Sequence, residues 1–563
     1  MPVNITYPGV YIEEIASPVR AITGVPTSVA AFVGYAPRGP VDGPVHITSW
    51  ADYETTFGGL HQDSPMSYAV YQFYVNGGAE AEIVRIIGLS EAPLFAIGSG
   101  PSKPDDHDTR PVLKPISPGV WGQHLRARVD HDVAPEDVGK LYNLTVWDSE
   151  TGLREKYLNV SADPADSRCL RNALQTSRLV VLSADGSGAM PGANAPAPDP
   201  DPFTPAATPP TPAPATPQNG AEHDGDDGAG HLGGPAQPPP VTSPEFTATK
   251  DVLPDSADYL GVAAEKTGIY ALLKTDIFNL LCLPDALRDQ PLVDGKPASD
   301  AELLTAALVL CVDRRAILLV DPPAAWDKKT IPEVAAAAAT LPLTGPSARN
   351  AALYYPRVQA PDRLRGGSTR SFPPCGVMAG VHARTDVSRG VWKAAAGTDA
   401  SLNGVTGLDV PMTDLDNGRL NPLGVNCLRQ FPAVGPVAWG ARTMRGADQL
   451  TDEWKYLPVR RLALFVEESL FRGTQWVVFE PNDEPLWASI RLNVGAFMNS
   501  LFREGAFQGR TPSEAYLVKC DRENNPQNDI DRGVVNVLVG FAPLKPAEFV
   551  IIHIQQLAGQ IQV

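Results

Sequence analysis

The stretch from Met190 to Pro244 constrains the fold of this chain more than any other. It is built of Pro, Ala, Thr, Gly and Asp, as in PAPDPDPFTPAATPPTPAPATP, and no Lys or Arg occurs between Arg178 and Lys250. Such a composition cannot bury enough apolar surface to offset the entropy of ordering it, so the segment reads as a disordered, solvated loop. Because it interrupts the chain internally, the region that carries it is expected to face solvent, away from any assembly interface. A chain of 563 residues is too long for one core, and its length predicts about three or four domains.

Strand and helix signals alternate on both sides of the loop. Ser28–Ala36 and Ala81–Gly88 read as buried strands, with a helix over Ser67–Gly78 between them that is stopped by glycines. Past the loop, Arg315–Trp326 reads as an apolar strand ending at Asp321, KTIPEVAAAAATL as a helix, and Asn350–Val358 as the next strand. That order predicts an α/β unit with a parallel pair. In the last third, Arg460–Gly473 reads as a helix with Gly473 as its C′ residue, followed by a strand in TQWVVFEPN. PLWASIRLNVGAFMNSLFREG reads as an amphipathic helix, with Trp487, Ile490, Val494, Phe497, Met498 and Leu501 on one face. Ala515–Cys520, Val534–Phe541 and Glu548–Gln556 read as strands. The predicted fold class is α/β and α+β, multidomain.

Both ends carry short alternating arms. Val3 and Ile5 share a face. Val10, Tyr11 and Ile12 follow a Pro8–Gly9 turn, and Glu13 and Glu14 then break any apolar run, unlike a signal peptide. The C-terminus closes on Gln560, Ile561, Gln562 and Val563, with Ile561 and Val563 on one face. A strand at a free terminus has an unpaired edge and needs a partner.

Chemistry is sparse. The net charge of −18 argues against a nucleic-acid partner. No run reaches the roughly 18 uncharged apolar residues of a membrane span, so no membrane insertion is expected. Six cysteines without a C-x-x-C pair read as reduced, mostly buried thiols. Asp321 at a strand end lacks the phosphate loop of a nucleotide site. The loop Cys520–Gly533 carries Asp521, Asn524, Asn525, Asp529 and Asp531, but not at EF-hand spacing, and reads as a turn capped by Asx side chains. No zinc cluster is evident, and no cofactor is expected. Asp321, His382, Ser368 and Ser371 form a candidate hydrolase set, since a triad is defined by geometry rather than order. Without a G-x-S-x-G elbow, no enzyme activity is expected. Arg442, Arg445, Lys455, Arg460, Arg461 and Arg472 gather around the helix of the last third. They read either as a solvated face or as a docking surface for an acidic partner.

Several long motifs resemble contractile tail sheath proteins: YPGVYIEEIASPVRAITGVPTSVAAFVGYAPRGP, ITSWADYETTFGG, FPPCGVMAGVHARTDVSRGVWKA, NCLRQFPAVGPVAWGARTM, YLPVRRLALFVEESLFRGTQWVVFEPND and APLKPAEFV. They cover roughly residues 1–90 and 315–563; the stretch from about 95 to 250 carries no such motif, which fits a variable, outward insertion. The resemblance implies a subunit that polymerises as stacked hexameric rings around an inner tube protein and contracts to drive that tube through a target envelope. It implies itself, the tube, a baseplate and a tail-terminator or cap protein as partners, and assembly in the bacterial cytoplasm as part of a phage tail or tail-like particle. The implied architecture places residues 1–24 as an N-terminal arm of the inner domain. Residues 25–95 and 251–374 form a middle, subtilisin-like α/β domain without a working protease. Residues 96–250 form an outer β-rich insertion carrying the Pro/Ala loop, residues 375–556 an inner α/β sandwich domain facing the tube, and residues 557–563 a C-terminal arm. Ala16–Pro18 and Leu557–Gly559 are the expected hinges of the arms. Lys455, Arg460, Arg461 and Arg472 become candidate tube contacts. Within the resemblance, one chain carrying both ends argues against a type VI secretion sheath, which is split over two proteins, and leaves a contractile phage tail or a phage-tail-like injection system. The run RRLALFVEESLFRG…FEPNDEPLW tilts the expectation toward the injection system, with a myophage tail sheath as the alternative.

Overall fold

A computed structural model describes residues 21–88, 92–99, 103–104, 109–184, 190–194, 241–245, 247, 251–285 and 300–551. The arm residues Val3, Ile5, Val10, Tyr11 and Ile12, the residues Gln560, Ile561, Gln562 and Val563, both expected hinges and the bulk of the Pro/Ala loop lie outside the described residues.

The centre is an eight-stranded sheet. Its strands are β1 (Ala30–Tyr35), β2 (Val45–Ile47), β3 (Ala81–Ile86), β4 (Leu280–Cys282), β5 (Ile317–Val320), β6 (Ala351–Tyr355), β7 (Val425–Phe431) and β8 (Gly435–Ala438). Their order is β8-β7-β6-β5-β4-β1-β3-β2, parallel from β7 to β3 and antiparallel at each edge. Strands covered on both faces read as continuous apolar runs, and β1, β4, β5 and β6 are buried along their whole length.

Alternate residues separate the two faces. Phe32, Leu319 and Tyr354 point into a core shared with α1 (Pro65–Val75) and α3 (Cys375–Arg389). Val33, Leu318 and Leu353 point into a core shared with α2 (Asp300–Asp313). Ser64 starts α1 by accepting from Ser67 N, with Pro65 in the first turn. α1 and α3 touch backbone to backbone: a Cβ at Gly376 would sit 2.3 Å from Ala69 O, and one at Gly380 2.6 Å from Phe73 O. The expected boundary at residue 374 falls inside this layer. α3, β7 and β8 come from beyond it, because β7 pairs directly with β6 and α3 packs on the same face as α1.

Before the loop, an antiparallel sheet (Leu125–Asp130, Leu141–Asp148, Arg154–Ser161) and a second small sheet enclose their own core around Leu125, Val129, Leu144 and Leu179. The last region is α4 (Leu457–Gly473), α5 (Glu484–Arg503) and a two-stranded sheet of β9 (Tyr516–Lys519) and β10 (Leu538–Phe541). The expected strand in TQWVVFEPN is instead a single 3-10 turn, Gln475–Val477. With no strand beside it, the run folds Trp476 and Val477 against the α4–α5 core. The expected strand at Glu548–Gln556 is unpaired over its described part, Glu548–Ile551.

Candidate assembly surface

The features that bear on assembly converge on α4. Its first half packs into the sheet core through Leu457 and Leu464, and Leu462 and Val466 belong to the C-terminal core, so one helix joins the two. Its arginines are structural. Arg461 is 4% exposed and grips Asp386 at 2.6 and 2.8 Å, while also donating to Thr27 O. Arg460, equally buried, donates to Asn350 Oδ1 and to Glu467. Breaking a buried pair such as Arg461–Asp386 by removing one partner costs about 3–5 kcal/mol. Of the four candidate tube contacts, these two therefore present no guanidinium to solvent. Lys455 (on Asp448, 2.7 Å) and Arg472 (on Asp276, 2.7 Å, and Glu468) are partly exposed, and both are paired within the chain.

The chain enters across this helix. Ile22 lies on Gly473, where a Cβ would come within 2.5 Å of its side chain, and Gly24 lies on Phe465. Val25 N donates to Ser469 Oγ, and Thr27 Oγ1 to Asp386. Gly473 is thus the last helical residue, and its lack of a side chain makes room for Ile22; it is not the left-handed C′ residue expected from the sequence. The pattern of a glycine after an amphipathic helix carries both readings, and only the neighbour decides.

The C-terminal segment leaves from the other end. Arg442 is completely buried and donates to Glu548 at 2.8 and 2.5 Å, to Asp448 at 2.9 Å and to the carbonyls of Asn421 and Gly446. Tyr456, the N-cap of α4, reaches Glu548 at 3.4 Å. Immediately beyond, Phe549, Val550 and Ile551 are 75%, 81% and 77% exposed. The only sequence signal for this was a lone carboxylate ahead of an apolar run.

The β9–β10 sheet packs one face on the C-terminal core through Tyr516, Val518, Val539 and Phe541. Leu517 and Leu538 face outward, each about half exposed. Among the described residues no third strand pairs with either edge. An isolated two-stranded sheet is marginal in water, and an open edge is a template for another chain. Beside it runs an apolar groove of about 690 Å³ between Phe471, Val477, Val535, Val537 and Val539. Phe479 stands on its rim, fully exposed on a left-handed backbone (φ 71°).

The hydrolase set is not brought together. His382 is buried; Arg461, which can only donate, faces its Nδ1 at 3.2 Å, and its Nε2 lies 3.0 Å from the Tyr354 hydroxyl. Burial, with Arg461 beside it, holds the imidazole well below its usual pKa. Asp321 accepts from Cys375 N at the start of α3, and burial pushes its carboxyl up to about 6. Ser371 Oγ binds Asp409 and Arg357, and Ser368 sits on an exposed strand end. In the Cys520–Gly533 loop the Asx oxygens cap backbone amides: Asn524 Oδ1 accepts from Asp521 N and Asn525 Oδ1 from Asn536 N. All six cysteines are buried free thiols. Among the described residues, no helix is long and apolar enough to cross a membrane.

Comparison with known proteins identifies the family. Residues 258–444 match the phage tail sheath protein central domain and residues 449–556 the phage tail sheath C-terminal domain, together more than half of the chain. The tail sheath protein of Burkholderia phage BcepMu is 26% identical over 307 residues, 53% of this chain and 61% of that protein. That of Vibrio phage KVP40 is 26% identical over 185 residues, 33% of this chain and 26% of its own length, so the chain spans only part of these relatives. The fold is shared almost end to end with solved sheath chains. The helical sheath of the anti-feeding prophage in its contracted state is 22% identical, with a TM-score of 0.53 over 98% of this chain and 99% of that one. The PVC sheath complex of an extracellular contractile injection system is 21% identical, with a TM-score of 0.53 over 99% of each chain. A sheath tail protein from Listeria innocua is 13% identical, with a TM-score of 0.55 over 93% of this chain and 96% of that one. The chain belongs to the contractile tail sheath protein family.

Proposed function

We propose that the chain is a structural sheath subunit of a phage-tail-like contractile injection system. It polymerises with copies of itself as stacked hexameric rings around an inner tube, engages a baseplate and a cap protein at the ends, and contracts to drive the tube forward. The observation that carries this reading is the β9–β10 sheet, which has no third strand among the described residues and lies on the same body as the first and last described segments of the chain. A strand added to that edge satisfies backbone donors and acceptors across the joint, and alternating side chains set its register. The arms around Val3–Ile12 and Gln560–Val563 supply such strands to neighbouring copies. A strand given in one direction makes a heterologous contact, which propagates as a helix instead of closing into a dimer. The division into an outer insertion, a middle α/β body and a tube-facing C-terminal region follows from the same reading. So does tube docking through the partly exposed Lys455 and Arg472. No catalytic step is part of this function.

Electron microscopy of the purified protein tests it: tubes or rings from the full chain, and soluble monomers once Met1–Ile15 or Leu557–Val563 is removed. Undiminished polymers from both truncations would remove the proposal.

A further inference from the structure

The first and last described segments of the chain lie at opposite ends of one helix. Ile22, near the start of the described chain, lies beside Gly473 at the C-terminus of α4. The C-terminal segment departs past Glu548, which is held by Arg442 and Tyr456 at the helix N-terminus. With 17 residues at 1.5 Å each, these two points are about 25 Å apart. We infer that the Arg442–Glu548 pair is a clamp from which a strand beginning at Phe549 is handed to a second copy of the chain, with α4 as the strut that carries load between the two points. This rests on the sheath reading and moves the start of the C-terminal arm upstream from Leu557 to Phe549.

Three observations support the inference. Burying a guanidinium is costly, yet Arg442 is fully buried and each of its three guanidinium nitrogens donates to an acceptor, two of them to one carboxylate 106 residues away. The residues directly after that carboxylate are apolar, outside any helix or strand, and about four-fifths exposed, which leaves them free to pair with a sheet elsewhere. A second copy offers the complement, because its β9–β10 sheet has no third strand among the described residues. The clamp fixes where the strand leaves, so a pull on it is transmitted to the sheet core through the turn that bears Arg442. An unclamped segment would pay out slack instead.

Spin labelling tests this on the monomer. The six native cysteines are buried, so a nitroxide on Val550→Cys labels one site. Glu548→Gln leaves Arg442 its Asp448 and carbonyl acceptors, so the fold survives. The expected result is a shift from a restricted lineshape to that of a free chain end, with Lys545→Gln on the same segment leaving the restricted lineshape in place. Tubes of the Glu548→Gln chain are expected to form at lower yield and to break at lower shear. An unchanged lineshape, or wild-type yield and strength from an unclamped chain, would overturn the clamp. If the unsubstituted chain formed no tubes, the sheath reading would fail, and the lineshape would still decide the clamp.

Discussion

Asp321 and His382 show how one sequence pattern supports two chemistries until neighbours are known. Both sit where a catalytic pair would sit in an α/β unit, yet each is buried with its own partner. Their linkage to stability has opposite signs. Asp321 has a folded pKa of about 6, above the ordinary 3.8, so its ionisation opposes folding at neutral pH by about 3 kcal/mol. That cost is relieved as pH falls from 6 toward 4. His382 is depressed, so below its ordinary 6.5 the unfolded chain takes up a proton that the folded chain refuses, and stability falls with pH. Asp321→Asn is therefore expected to raise the urea midpoint at pH 7. The gain should shrink on acidification, leaving the acid-side loss from His382 exposed. A midpoint lowered at pH 7 would show that the ionised carboxylate is needed where it stands.

At the scale of the element, the β9–β10 sheet carries the sharpest consequence. Leu517 and Leu538 point away from the C-terminal core, so replacing both with Lys should change monomer stability by no more than about 0.5 kcal/mol each. Charge on an open sheet face and edge blocks pairing with another chain, and tubes should be lost. Sedimentation of the double variant measures both effects, and wild-type tube yield would exclude this sheet from the joint. The helices of this region were legible because the spacing of Trp487, Ile490, Val494 and Phe497 admits one buried face. TQWVVFEPN was not legible, because strand propensity counts only when a neighbouring strand is present to pair with.

In the whole molecule, the Pro/Ala loop costs the fold little. Its described flanks meet on one strand: Asn194 N donates to Val129 O, Thr242 N donates to Ala127 O, and Ala127 N donates to Thr242 O. The two anchor points are two residues apart, so the chain between them closes a short gap. Replacing residues 195–240 with about six Gly/Ser residues is expected to leave stability unchanged or raise it by about 2 kcal/mol, since closure entropy falls slowly with loop length. Tube assembly should be kept. A chain that no longer folds, or folds and no longer assembles, would give the loop a structural role.

The apolar runs of β1, β5 and β6, the helix faces, the low-complexity break and the ordered family motifs are all local or cumulative along the chain, and the sequence by itself determined them. The tertiary structure decided which parts share a sheet. It placed β7 and β8 beside β6 and so carried the central layer past residue 374. It also turned four basic residues of one apparent patch into two buried struts and two partly exposed pairs, and a helix-ending glycine into a seat for Ile22. The physical reason is the same in each case: burial and charge pairing depend on partners that the fold brings in from elsewhere in the chain, and a one-dimensional pattern names the group without naming what it meets.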